Sequence, residues 1–241
     1  MAVISVRDVL TKQRFLRAAV IGEPDSGKTS TSGTMTPGLP TCVICSAPTS
    51  QMIVHHPDVR IFTPADFKET VNALKAPETQ FGQNIGTLVW DDATFTIGRA
   101  LEEKGILTAA EPRRVYKDVQ FALEGALLFT IRKAFHFVII AQARRMMNEI
   151  SGLDEITLDV PPSMENSIVA AVDYAFFVVR ERKPEAVPHI SVVPVKRTVT
   201  KVKLTREQFG KSLLANEEPA DLALIWSKLN PTRRETNATV A

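Results

Sequence analysis

A glycine-rich octapeptide sets the tightest limit on what this chain can fold into. Gly22-Glu-Pro-Asp-Ser-Gly-Lys-Thr29 fits the spacing G-x-x-x-x-G-K-[ST] in full. It follows directly on the apolar run Arg17-Ala-Ala-Val-Ile21 and leads into Lys28 to Met35, where a helix can begin. Each part has a physical reason. Glycines let the backbone curl so that successive N–H groups face phosphate oxygens. A helix starting at Lys28 aims its positive end at the same point. Lys28 is expected to reach the β- and γ-phosphates, and the Thr29 hydroxyl to ligand Mg²⁺. Gly22, Glu23, Pro24, Asp25, Ser26, Gly27, Lys28, Thr29 and Ser30 are therefore the expected nucleotide-binding residues. Ser and Thr are weak helix formers, so the helix after the loop is expected to be short and held by packing.

The rest of the chain fits a fold that can carry such a loop. Short apolar runs recur at Cys42 to Cys45, Val59 to Phe62, Gly86 to Trp90, Phe137 to Ala141 and Tyr174 to Val179. Helical patterns lie between them. Thr63-Pro-Ala-Asp66 starts one, with Phe67, Val71 and Leu74 on its apolar face and Pro77 as its stop. Another runs from Asp92 to about Lys104, and a long one from about Arg113 to Lys133. Strands apolar on both faces and alternating with helices predict an α/β fold, a mostly parallel sheet covered on both sides.

After Ala141 the character changes. Arg144 to Pro162 is polar and acidic without helical period, and Ser167 to Ala171 is expected to be a short helix. Ile190 to Val195 and Thr198 to Leu204, separated by Lys196-Arg197, predict a C-terminal antiparallel β-hairpin extension. A helix near Asp221 to Leu229 follows, and 230–241 reads as a flexible tail. At 241 residues the expectation is one domain over 1–229, with its core at about 15–205.

A net charge of +2 implies no general affinity for polyanions, so any nucleic-acid contact must be local. The two cysteines, Cys42 and Cys45, sit three apart in a strand and point to opposite faces, which predicts two buried thiols. No apolar run approaches the ~18 residues of a membrane span, and the N-terminus lacks a signal-peptide core. A cytoplasmic setting without membrane contact is expected.

Two further elements complete a site. Leu88-Val-Trp-Asp91-Asp92 closes an apolar strand with acid, the arrangement in which a carboxylate holds Mg²⁺. Asp91 aligns best with that role. Asp92 is either the base that polarises an attacking water or the N-cap of the next helix. Gln142, at the end of Phe137 to Ala141, is either a sensor of the γ-phosphate or a cap or surface amide. Lys28, Asp92 and Gln142 form the expected catalytic set, with Thr29 and Asp91 as metal ligands.

With these segments in order, and with Ala171-Val-Asp-Tyr-Ala-Phe-Phe177 following them, the chain resembles phage-encoded RecA-like P-loop ATPases. The resemblance spans roughly residues 15 to 205. It implies a RecA-like fold, ATP and Mg²⁺ as ligands, a homo-oligomeric ring or filament, and single-stranded DNA as partner, in a bacterial host's cytoplasm. It places a DNA-contacting mobile loop at Arg144 to Ser163, with Arg144 and Arg145 as phosphate contacts. The acidic residues Asp154, Glu155, Asp159 and Glu165 weigh against that contact. Lys201 and Lys203 lie where such assemblies reach a neighbour's γ-phosphate, or else they are solvated edge lysines. An acid after the second or third strand, common in the family, has no counterpart in Cys45-Ser-Ala-Pro48, and Phe62-Thr-Pro-Ala-Asp66 offers only Asp66.

The leading expectation is thus a DNA-coupled ATPase of phage recombination or replication. Two alternatives remain. One is a nucleotide-gated oligomeric binding protein with negligible hydrolysis. The other is a small-molecule or nucleotide kinase, for which Arg113, Arg114, Arg144 and Arg145 make a sparse lid.

Overall fold

A computed structural model describes residues 15–33, 39–45, 58–147, 154–180, 186–191, 201–202, 214–215 and 217–229. The strands are β1 (Arg17–Gly22), β2 (Thr41–Cys45), β3 (Val59–Phe62), β4 (Thr87–Asp91), β5 (His136–Met147), β6 (Asp154–Leu158), β7 (Tyr174–Val179), β8 (His189–Ser191), β9 (Lys201–Val202) and β10 (Glu217–Pro219). The helices are α1 (Lys28–Ser32), α2 (Phe67–Lys75), α3 (Pro77–Phe81), α4 (Ala93–Glu103), α5 (Pro112–Thr130), α6 (Pro162–Ala171) and α7 (Leu222–Leu229).

The strands run in the order β10-β8-β7-β1-β5-β4-β2-β3. From β7 to β3 every neighbouring pair is parallel. Strands β8, β9 and β10 at one edge, and β6 beside the end of β5, pair antiparallel. The fold is therefore α/β, with a mixed, mostly parallel sheet flanked by helices. The apolar runs explain it, because β1, β2 and β4 are buried along their whole length. Such strands have no solvent face and must be covered on both sides.

Two core clusters meet at the sheet. One holds Ile21, Ile44, Leu74, Trp90, Ile97, Leu123, Leu127 and Phe137. The other holds Val20, Val43, Val138, Phe176, Leu222 and Ile225. Cys42 belongs to the first and Cys45 to the second, so the thiols diverge as strand geometry requires. Burial raises the Cys42 thiol to about 11 despite nearby Arg60, which suits a core residue. At the opposite end of the sheet from the glycine-rich turn, buried Arg17 donates to the carbonyls of Leu16, Ile131, Lys133 and Phe135.

Several expectations need correction. Arg144 to Pro162 is not merely a loop: β5 continues to Met147, and β6 returns beside it from Met147↔Asp154 to Ala143↔Leu158. Ile156 and Leu158 are buried and alternate with Thr157, the period of a strand. Helix α6 begins at Pro162 rather than Ser167, with proline in the first turn where its missing N–H is harmless. Pro77 both follows α2 and opens α3. Strands β8 and β9 both lie antiparallel on β7, and most of the residues over which the expected hairpin would pair lie outside the described residues. The Lys196-Arg197 turn of the expected hairpin, Lys203, and the 230–241 tail lie outside the described residues. So do 1–14, Met35, and Ser46 to Pro48.

Candidate functional site

Strand β1 ends at Gly22, and the next residues fold back to start α1. Two positive φ angles make the turn, 61° at Asp25 and 93° at Gly27. Ser26 N–H donates to the Glu23 carbonyl at 3.3 Å, closing the loop on itself. Alternating backbone handedness of this kind turns N–H groups inward as an anion-binding concavity. Pro24 and Asp25 are exposed at its rim, while Ser26 and Lys28 are buried beneath. Ser26 Oγ has no hydrogen-bond partner among the described residues.

Packing at both glycines is tight. A Cβ on Gly22 would stand 2.5 Å from Ser26 Oγ and 2.8 Å from the Val178 carbonyl oxygen. One on Gly27 would stand 2.8 Å from Pro188 Cγ. Helix α1 is then held by Thr31 Oγ1 donating to Gly27 O at 2.9 Å and Ser32 Oγ to Thr29 O at 2.7 Å. Gly33 N–H reaches Ser30 O at 3.3 Å.

Lys28 and Thr29 turn toward the strand tips. Lys28 Nζ donates to the Glu23 carbonyl at 2.6 Å. An ammonium carries three donors, so this bond uses one of them. Burial lowers the Lys28 pKa, opposed by the carboxylates of Asp92, Asp91, Asp25 and Glu23. Thr29 Oγ1 donates to Asp91 Oδ2 at 2.9 Å. Asp91 is 3% exposed. Burial pushes its pKa up to about 6; the Thr29 hydrogen bond pulls it down, Asp92 adds to the rise, and Lys28 opposes it. A hydroxyl and a carboxylate oxygen in contact are a hard-oxygen pair, the donor set Mg²⁺ uses together with phosphate oxygens and water. No cluster of three His, Cys, Asp or Glu side chains forms a metal cage among the described residues.

Asp92, joined to Asp91 by a cis peptide, caps α4. Its Oδ1 accepts from Thr94 N–H at 2.6 Å and from Phe95 N–H at 3.2 Å. Its Oδ2 accepts from Gln142 Nε2 at 3.0 Å. Gln142 N–H in turn donates to Thr94 Oγ1 at 2.9 Å, and Gln142 O accepts from Asp159 N–H at 2.9 Å. The N-cap reading of Asp92 is thus observed, and Gln142 is a bridge between α4, β5 and the β6 ribbon rather than a free surface amide.

Strand order explains why these groups converge. The loop strand β1 and the acid strand β4 are not neighbours; β5 lies between them, so Gln142 stands between the loop and Asp91–Asp92. Sequence reasoning missed Thr94 and Pro188, for neither carries a local signal.

Other candidates lie apart from this network. Asp66 caps α2 by accepting from Glu69 N–H at 2.7 Å. Arg113 and Arg114 are exposed at the start of α5. Arg144 is 3.9 Å from Asp159, a loose, exposed ion pair. Lys201 pairs through its backbone with Ala175, and the side chain of Lys201, like those of Arg145, Asp154 and Glu155, lies outside the described residues. No helix among the described residues is long and apolar enough to cross a membrane. No protein-family model matches the chain, and no curated protein matches it significantly.

Proposed function

We propose that this protein binds ATP with Mg²⁺ and hydrolyses it, as a RecA-like P-loop ATPase acting on single-stranded DNA. The observation that carries the reading is the 2.9 Å bond from Thr29 Oγ1 to Asp91 Oδ2. It brings the hydroxyl at the end of the glycine-rich turn against a buried carboxylate from a strand two places away in the sheet. A structural turn with a solvated lysine would need neither that contact nor the burial of Lys28.

In this reading the turn's N–H groups hold the polyphosphate, and Lys28 neutralises its terminal end. Thr29 and Asp91 would hold Mg²⁺, which when bound offsets charge on the β- and γ-oxygens. Asp92 accepts the attacking water's proton, and Gln142 orients the carboxylate. The DNA part rests on the β5–β6 ribbon, which carries Arg144 and Arg145 two and three residues beyond Gln142. Homo-oligomerisation belongs to the same proposal.

A second reading, nucleotide-gated assembly with negligible turnover, is favoured by one specific observation. Both Asp92 oxygens already accept hydrogen bonds, from the α4 cap and from Gln142. The deciding experiment is titration calorimetry with ATP and Mg²⁺ on wild type and Lys28→Ala, followed by steady-state ATPase with and without single-stranded DNA at low salt. The proposal expects uptake lost in the variant and DNA-stimulated turnover. Absence of ATP uptake by the wild type would end both readings; uptake without turnover selects the second.

A further inference from the structure

The site described so far accounts for the polyphosphate and leaves the nucleoside unplaced. Strand β1 has two neighbours, β5 and β7. Asp91, Asp92 and Gln142, which define the terminal-phosphate end, all lie on the β5 side. An elongated ligand anchored there by its far phosphate must leave its nucleoside toward the other side, that of β7 and β8.

What meets it there is apolar and fixed. After β7 the chain returns to β8 through Ala186, Val187 and Pro188. Arg180 Nε donates to the Ala186 carbonyl at 3.0 Å, holding the return against the end of β7. His189 then pairs with Val179, which anchors the residue after Pro188 in the sheet. The Pro188 ring lies close enough to Gly27 that a Cβ there would be 3.1 Å from Pro188 Cβ and 2.8 Å from its Cγ. Val187, one residue earlier, is 79% exposed. A β-branched side chain and a proline are stiff, so a flat ring resting on them costs little side-chain entropy.

We propose that Val187 and Pro188 form the wall against which the nucleoside of the bound triphosphate rests, with a nucleobase face as the occupant. This rests on the triphosphate reading above and adds the position of the base to it. The wall is apolar and offers no side-chain donor or acceptor, so it recognises a ring by shape and burial rather than by its hydrogen-bonding edge.

The test compares two ligands, Mg²⁺–ATP and Mg²⁺–tripolyphosphate, by calorimetry on wild type, Val187→Asp and Val187→Thr. Tripolyphosphate carries the phosphates without the nucleoside, so the ratio of the two affinities isolates the wall. The expected result is a wild type that prefers ATP. That preference should fall about tenfold in Val187→Asp and by a smaller factor in Val187→Thr, as loss of apolar contact predicts. Val187 is outside the core, so neither variant threatens folding. An unchanged ratio in both variants, or equal loss for the two ligands, would overturn the wall. A wild type that binds neither ligand would instead remove the triphosphate reading itself, and the wall with it. Binding of tripolyphosphate as tightly as ATP would leave that reading standing and refute the wall alone.

Discussion

Gln142 and Asp92 are joined side chain to side chain at 3.0 Å, which ties the tip of β5 to the start of α4. The same aspartate caps α4 through its other oxygen. The observed cap and the proposed catalytic role therefore fall on one residue, and substitutions separate them. Asn caps about as well as Asp, whereas Ala loses about 1 kcal/mol. Asp92→Asn should unfold in urea within about 0.5 kcal/mol of wild type, and Asp92→Ala about 1–2 kcal/mol below it. If Asp92 is the base, Asp92→Asn also lowers steady-state turnover by about 100-fold while ATP affinity persists. Turnover at the wild-type rate would take the base role from Asp92.

The two loop glycines should fail differently when substituted. Gly22→Ala drives a methyl toward the Val178 carbonyl, a backbone atom that cannot swing aside. Removing the Ser26 hydroxyl in a Gly22→Ala/Ser26→Ala double variant should therefore not restore stability. Gly27→Ala adds left-handed strain at φ 93° to the clash with Pro188. Each single variant is expected to lose about 2 kcal/mol or more in thermal unfolding. Full rescue of Gly22→Ala by Ser26→Ala would show that the hydroxyl, not the backbone, sets the limit.

Arg17 predicts a cost far from the site. Its guanidinium donates to Ile131 O at 3.2 Å and Lys133 O at 2.6 Å, just past the end of α5, and also to the Leu16 and Phe135 carbonyls. Burial lowers its pKa to about 10, with Asp173 opposing, so it stays charged at neutral pH. Arg17→Ala leaves several carbonyls without their donor and should cost about 3 kcal/mol or more. Arg17→Lys should recover only part of this, since an ammonium lacks the planar fork. Equal stability of the Lys variant and wild type, by denaturant unfolding, would contradict that account.

These relationships differ in how far the sequence foretold them. The glycine-rich turn, Asp91 at a strand end, and the divergence of Cys42 and Cys45 are local geometry, written within a few residues. The convergence of Thr29 with Asp91 is not. It depends on β5 lying between β1 and β4, and no spacing encodes strand order. The β5–β6 ribbon escaped notice because Arg144-Arg-Met-Met147 shows no alternation, although Ile156-Thr-Leu158 does. Thr94 and Pro188 matter only through tertiary contacts with Gln142 and Gly27, where residue type alone carries no information.

Buried Asp91 and half-buried His136 have pH effects that oppose each other. Burial raises Asp91 from the ordinary 3.8 to about 6. A raised carboxylate binds more protons folded than unfolded, so its contribution to stability is present below about 4 and is lost as pH rises to about 6. Burial, aided by the charge of Arg17, lowers His136 from 6.5 to about 4. Its Nδ1 accepts from Leu16 N–H at 3.0 Å, which requires the neutral ring. That contribution is present above 6.5 and is lost as pH falls to about 4. The Asp91 displacement corresponds to about 3 kcal/mol and that of His136, screened by its partial exposure, to about 2 kcal/mol, so between pH 4 and 6 they largely cancel. Without nucleotide or Mg²⁺, the wild type should therefore show little pH dependence from this pair. Asp91→Asn unmasks His136: stability by urea unfolding should be higher than wild type at pH 7 and fall by about 2 kcal/mol toward pH 4. His136→Asn, whose amide oxygen can still accept from Leu16, should show the reverse slope. The Asp91→Asn gain at pH 7 should coincide with loss of Mg²⁺-dependent ATP binding, because the buried charge that costs stability is the one proposed to hold the metal. Parallel pH profiles for the two variants would refute the opposed pair.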